Sequence, residues 1–350
     1  MTTVVLGVAF GEPAEPDRAS VEEYLGHIFY QNAELDGAET EEERRQHAND
    51  LAARRAPGLL TEYEEIGGSP MNGQAEDQLD QLASTLRARG SAVDSVLAFQ
   101  FLEPTIEDRL EELAERGVEE VITVPLYPLC GPSTTVAALE RVEEKLEALS
   151  TDWVPTVAHV SGWHRHPRYL ELRARTIRES VTEADIDLQD PQTVRLVFSA
   201  HGTPMHYVKS GSRYVRYVEE YCETVAAKLG VDDFELGYQN HENRGIPWTQ
   251  PDIEDVVPHI EQDVLVVDAP SFLHEQSETL LELDEDLAAI AANEEKVFHR
   301  VRIPHDDPDL GGVLADVVEP FITGVDPSFY QLRSCSCHPS DNTRCLNAPR

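Results

Sequence analysis

Short runs of β-branched and other apolar residues recur along this chain, each separated from the next by a stretch of helical period, and this alternation constrains the fold most. The runs are Val4 to Phe10, Val93 to Phe101, Glu120 to Leu126, Thr156 to Ser161, Val194 to Ala200, Phe234 to Asn240, Val264 to Ala269 and Val297 to Ile303. Between them lie amphipathic stretches such as Gln74 to Arg89, Thr105 to Arg116, Val136 to Leu149, Tyr169 to Thr182, Tyr214 to Leu229 and Ser277 to Ala292. Strands covered on both faces read as continuous apolar runs, and parallel neighbours need a crossover, so the pattern predicts βα units and parallel sheets. A chain of 350 residues exceeds what one core holds, so two doubly wound, Rossmann-like α/β domains are expected. The break is placed after residue 150, giving domains 1–150 and 151–307, with a helix in 308–325 returning to the first and a cysteine-containing tail, 326–350. The charged segment Ala33 to Arg55 reads as a surface helix.

Charge narrows the function. The formal net charge is −38, from 28 Lys and Arg against 66 Asp and Glu, and it is spread along the chain. Only Lys145, Lys209, Lys228 and Lys296 are lysines. Such self-repulsion is tolerable when salt near 1 M shortens the Debye length to about 3 Å, so a salt-adapted source is expected. Nucleic-acid binding is disfavoured, because phosphate contacts need clustered cations. No apolar run approaches the roughly 18 to 20 residues of a membrane span, and the start lacks a basic leader, so a cytoplasmic location is expected. A homodimer and peripheral membrane contact stay open, although an acidic surface disfavours anionic lipids at low salt.

Two motifs point to chemistry. Leu196-Val197-Phe198-Ser199-Ala200-His201-Gly202-Thr203-Pro204 is a buried strand ending in a small-residue turn that presents a histidine, and ligands of open α/β sheets collect beyond such strand ends. Within Ser271 to Asp286, helical spacing puts Glu278, Glu282 and Asp286 on one face at i, i+4 and i+8. Like charges so spaced cost an isolated helix about 0.2 to 0.5 kcal/mol per pair, which invites a functional account. Their plain alternatives are a hydrogen-bonding core histidine and a solvated acidic face.

Taken with Tyr63-Glu64-Glu65-Ile66-Gly67-Gly68-Ser69-Pro70 and with Tyr238-Gln239-Asn240 followed by Pro247-Trp248, these motifs resemble the ferrochelatase family over about Val4 to Ile322. The resemblance implies a chelatase-like fold around a porphyrin, and Fe²⁺ as the substrate metal. It implies His201 as the active-site histidine, Glu278 as its paired carboxylate, and Glu282 and Asp286 as a metal or proton route. Arg55 and Ser69 match positions that hold porphyrin propionates, while Tyr63, Tyr127 and Trp248 are placed around the macrocycle. Gln276 stands where the family usually has a histidine, with His274 nearby. Phe10 stands where relatives acting on coproporphyrin commonly carry tyrosine, which favours protoporphyrin IX over coproporphyrin III. A cobalt or nickel chelatase and a non-catalytic haem or porphyrin carrier are the rival readings.

Of five cysteines, Cys335, Cys337 and Cys345 crowd the end of the chain, an arrangement unlike a disulfide framework. The segment Arg333 to Cys345 resembles the tails of those ferrochelatases that hold a 2Fe-2S cluster. Such a cluster needs a fourth thiolate, for which Cys130 is the first candidate and Cys222 the reserve. Zinc completed by His338 is the competing chemistry.

Overall fold

The structure is a computed structural model, and it describes residues 2–14, 16–33, 40–240 and 245–347. Contacts divide it into two compact units, Met1–Trp163 with Asp306–Arg350, and His164–His305.

The first unit begins with β1 (Thr3–Ala9), α1 (Arg18–Gln31), α2 (Glu41–Ile66) and α3 (Met71–Ala88). It continues with β2 (Asp94–Phe99), α4 (Ile106–Glu115), β3 (Glu120–Pro125), α5 (Ala137–Leu149) and β4 (Thr156–Val160). Every residue of β1 is buried, as a strand covered on both faces requires. On one face Val4, Leu6 and Val8 meet Ile106, Leu110 and Leu113 of α4 and Ala138 and Val142 of α5. On the other, α3 comes so close that a Cβ on Gly7 would lie 2.9 Å from Leu79 Cδ1, which accounts for glycine inside a buried strand. Capping boxes Asp17/Ser20, Thr40/Glu43 and Thr105/Asp108 start α1, α2 and α4. Of the charged stretch expected as a helix, residues 41–55 lie in α2, Ala33 follows the end of α1, and 34–39 fall outside the described residues.

The second unit holds α6 (Pro167–Glu183), β5 (Val194–His201), α7 (Met205–Lys209), α8 (Tyr214–Leu229), β6 (Phe234–Gln239) and α9 (Ile253–Val256). Then follow β7 (Val264–Asp268), α10 (Ser277–Leu280), α11 (Ala288–Asn293) and β8 (Val297–Arg300). Its parallel sheet runs β6-β5-β7-β8, so the His201 strand lies in the interior, with Leu196 beside Phe234 and Val194 beside Val264. Behind the carboxyl end of β7, Arg173 and Asp268 form a buried ion pair at 2.5 Å, 1% and 0% exposed. The Tyr221 hydroxyl donates to the same carboxylate at 3.1 Å, and Arg173 also reaches the Ala269 carbonyl at 3.2 Å. Replacing Arg173 by leucine strands a buried carboxylate, so we expect a loss of about 3–5 kcal/mol in denaturant unfolding. A loss under about 1 kcal/mol would mean that Asp268 does not need its cation.

The chain then returns to the first unit as α12 (Pro308–Thr323), β9 (Arg333–Ser334) and β10 (Thr343–Cys345), completing the order β2-β1-β3-β4-β10-β9. Three expectations are corrected here. The unit break lies after Trp163 rather than 150, because β4 pairs in parallel with β3. The tail is not a separate appendage: β10 pairs with β4 and antiparallel with β9, extending the first sheet. Finally, Ser277 to Ala292 is not one α-helix, since residues Glu282–Leu287 form a π turn between α10 and α11.

Candidate functional site

At the carboxyl end of β5, His201 Nε2 lies 3.2 Å from Glu278 Oε1, with the two side chains 32% and 21% exposed. The main chain of His201 is fixed independently of its imidazole. Its N–H donates to Ser271 Oγ at 2.9 Å, and its carbonyl accepts the Tyr214 hydroxyl at 3.0 Å. Tyr214 and Ser271 are themselves 2.8 Å apart, and burial pushes the tyrosine hydroxyl above its ordinary range, so it stays a neutral partner. Gly202 sits against the Asn240 side chain, and any Cβ there would collide with it. Asn240 in turn donates to the Thr249 carbonyl and to Asp252, both at 2.9 Å, while Thr203 N–H reaches Thr249 Oγ1 at 3.1 Å. This stitches the Pro247 to Asp252 loop, including the half-buried Trp248, to the turn after His201.

On the acidic side, Gln276 Nε2 donates to Glu278 Oε2 at 2.7 Å, so Glu278 uses one oxygen toward the amide and the other toward His201. Gln239 Nε2 donates to the Glu278 carbonyl at 2.9 Å and to Glu282 Oε2 at 3.1 Å. The three-carboxylate face expected of a continuous helix is therefore altered: Glu278 and Glu282 are joined through Gln239, and Asp286 is exposed on the π turn. Buried His274 is driven down to about 3 by desolvation, so it remains neutral. Gln239 belonged to a quoted motif without an assigned task. Its signal is positional: it lies directly opposite His201 in the β5–β6 register.

Four other residues named from the sequence, Arg55, Tyr63, Ser69 and Tyr127, belong to the first unit. Arg55 is exposed and 3.6 Å from Glu62. The Ser69 hydroxyl donates to Glu12 at 2.5 Å. Tyr63 is 0% exposed within the α1–α2 core, where Phe10 packs on Phe101 and Tyr24. The Tyr127 hydroxyl donates to Gln100 at 2.9 Å.

A second site gathers the thiols of the first unit. The sulfurs of Cys130, Cys335 and Cys337 lie within 4.8 Å of one another, and Cys345 lies against Cys335. Cys335 Sγ accepts the N–H groups of Cys337 at 3.3 Å and His338 at 3.4 Å. Hydrogen bonds from Cys130, Cys337 and Cys345 hold Cys335 far below an ordinary thiol, and donating to Cys335, together with burial, holds Cys130 and Cys345 above one. Cys222 is not part of this group but lies in the buried core of the second unit. Nor does His338 complete it, since Nδ1 faces the Thr343 hydroxyl at 3.1 Å and Nε2 faces Glu143 at 3.3 Å. Four thiols with amide donors on sulfur suit a thiolate-bound metal centre, and they do not suit a Cys₃His zinc shell.

The solved structure of SirB from Bacillus subtilis with Fe³⁺ matches at a TM-score of 0.51 and 12% identity, covering 93% of this chain and 97% of that one. This likeness shows that the two chains share an α/β fold. A family model described as ferrochelatase matches residues 2–321. Ferrochelatases similar to this chain include that of Aquifex aeolicus (strain VF5), 30% identical over 77% of this chain and 85% of that protein. Another, from Synechococcus sp. (strain RCC307), is 31% identical over 74% and 67%, respectively. A coproporphyrin III ferrochelatase from Anoxybacillus flavithermus is 23% identical over 90% and 94%. The chain belongs to the ferrochelatase family, lyases that insert a metal ion into a porphyrin.

Proposed function

We propose that this enzyme inserts Fe²⁺ into protoporphyrin IX and that His201 and Glu278 take up the two pyrrole protons that the metal displaces. The observation that carries the reading is the 3.2 Å pair at the end of an interior strand, with Gln276 on the second carboxylate oxygen. Insertion exchanges two N–H protons for one divalent ion. A neutral imidazole beside a carboxylate accepts both, becoming imidazolium and carboxylic acid. Imidazole and carboxylate also suit Fe²⁺ as transient ligands, and a half-exposed pair lets the ion pass on. Glu282, coupled to Glu278 through Gln239, and exposed Asp286 extend the route toward solvent.

Arg55, exposed and only loosely engaged by Glu62, is the cation proposed to meet a propionate, where its planar fork matches carboxylate geometry. Ser69 is proposed to act in the same area through its bond to Glu12, and Trp248 to border the ring. Binding contacts remote from the metal would supply the distortion that exposes the pyrrole lone pairs. Phe10 supports protoporphyrin IX, because it offers no hydroxyl to the metal and is packed against Phe101. The paucity of cations, 28 against 66 acids, likewise favours a dicarboxylic over a tetracarboxylic ring.

For the thiol group, Cys130, Cys335, Cys337 and Cys345 are proposed to hold a 2Fe-2S cluster. When bound, such a group supplies one-electron chemistry and ties the C-terminal strands to the rest of their sheet. We read the acidic surface as salt-adapted and the location as cytoplasmic; among the described residues no helix is long and apolar enough to cross a membrane.

Anaerobic mixing with Fe²⁺ and either protoporphyrin IX or coproporphyrin III in concentrated salt tests the reading through porphyrin fluorescence and haem absorbance. Faster turnover of protoporphyrin IX is expected. Faster turnover of coproporphyrin III would reverse the ring assignment, and tight haem binding without turnover would favour a carrier.

A further inference from the structure

The segment from Ser271 to Leu287 carries all three acidic groups of the proposed site, yet a residue outside it closes its geometry. Arg300, the last residue of β8, donates Nε and Nη2 to the two carboxylate oxygens of Asp284 at 2.5 and 2.7 Å. Its Nη1 donates to Glu275 at 3.0 Å, and the arginine side chain is 10% exposed. The Glu275 carboxylate also accepts Ile303 N–H and the Thr279 hydroxyl, both at 2.8 Å. Glu275 stands just before α10, which carries Glu278, and Asp284 lies within the π turn that carries Glu282. One guanidinium thus pins both ends of the stretch bearing the two carboxylates.

Between those ends the helix changes from α to π, and Asp286 N–H reaches back to the Leu281 carbonyl at 3.0 Å. A π turn is a rare register that persists where surrounding contacts specify it. A planar fork holding both oxygens of Asp284 fixes that register, which an ammonium, a point charge, does not.

We propose that Arg300 is a positioning residue for metal delivery, holding the π turn through Asp284 and Glu275 so that Glu278 and Glu282 meet the incoming Fe²⁺ together. The inference rests on the iron-insertion reading of the site. Arg300→Ala would leave two poorly solvated carboxylates without their cation and risks unfolding. The informative variants are Arg300→Lys, which keeps the charge without the fork, and Asp284→Asn, which weakens the fork at a residue with a 34% exposed side chain.

In both variants, KM for Fe²⁺ is expected to rise about ten- to a hundredfold, the usual cost of removing a partner that orients metal ligands. KM for the porphyrin and the melting temperature are expected to change little. Folded variants with an unchanged KM for Fe²⁺ overturn the proposal, and so does a fall in kcat alone. A wild-type enzyme that inserts no iron defeats the underlying reading instead. In that case hydrogen exchange at amides 284–287 still decides whether the clasp exists: faster exchange in both variants supports it, and unchanged exchange removes it.

Discussion

His201→Ala is expected to slow iron insertion by about two to four orders of magnitude while porphyrin binding stays within a few fold of wild type. General acid–base groups contribute on that scale. The loop should survive the change, because Ser271 and Tyr214 grip the main chain of residue 201 rather than its ring. The loss should therefore appear in kcat, measured by haem formation under anaerobic single-turnover conditions, and not in porphyrin affinity measured by fluorescence. Turnover at the wild-type rate would remove His201 from the reaction. Glu278→Gln gives a useful contrast: an amide in its place still reaches His201 and Gln276 but accepts no proton. Its rate should fall comparably, and the two losses should combine to less than their product, as for residues that act as a unit.

The second large effect concerns the thiol group. β9 has two residues and β10 three, too few for strands to hold by pairing alone, so their place beside β4 depends on the Cys335 cluster. Removing the proposed metal centre with a chelator, or substituting Cys345→Ser, is expected to release the hairpin from His159 and Val160. Amides of residues 333–346 would then exchange at rates near those of an unfolded chain, since metal-binding energy in such small elements is folding energy. A 2Fe-2S centre would give visible absorbance and, once reduced, an electron-spin signal, both lost in Cys345→Ser. A colourless protein that releases zinc stoichiometrically would replace the cluster with a Cys₄ zinc site. Full protection of 333–346 in the metal-free protein would show that strand pairing suffices.

How much of this was readable from residue order differs from one element to another. Each of the eight apolar runs became a strand; in interior strands such as β1, burial on both faces imposes a composition that survives any tertiary context, while the edge strand β8 stays partly exposed. The capped helices α4 and α8 appear close to their expected bounds for the same local reason. His201 and Glu278 were singled out as separate motifs, 77 residues apart, by resemblance and by strand-end position. Their 3.2 Å approach, however, depends on how β5 and β7 pair and on the loop from Ser271, which no local pattern encodes.

The π turn could not be read at all, since Glu278, Glu282 and Asp286 satisfy α-helical spacing perfectly well. The Asp284 carboxylate on that turn is instead bonded to Arg300, 16 positions further along the chain. Gln239 lacked a visible task for a similar reason, because its partners are set by strand register. The tail shows the same division. Cys130 and the three clustered cysteines stand out in the sequence as one thiol group, whereas the exclusion of His338 from it is decided by Glu143 and Thr343 occupying the imidazole. Sequence alone thus determined which segments are strands and where most helices lie, because these follow from local propensity and burial. The tertiary structure decided which of them meet, because hydrogen bonds and ion pairs between distant residues depend on register and packing that no local window contains.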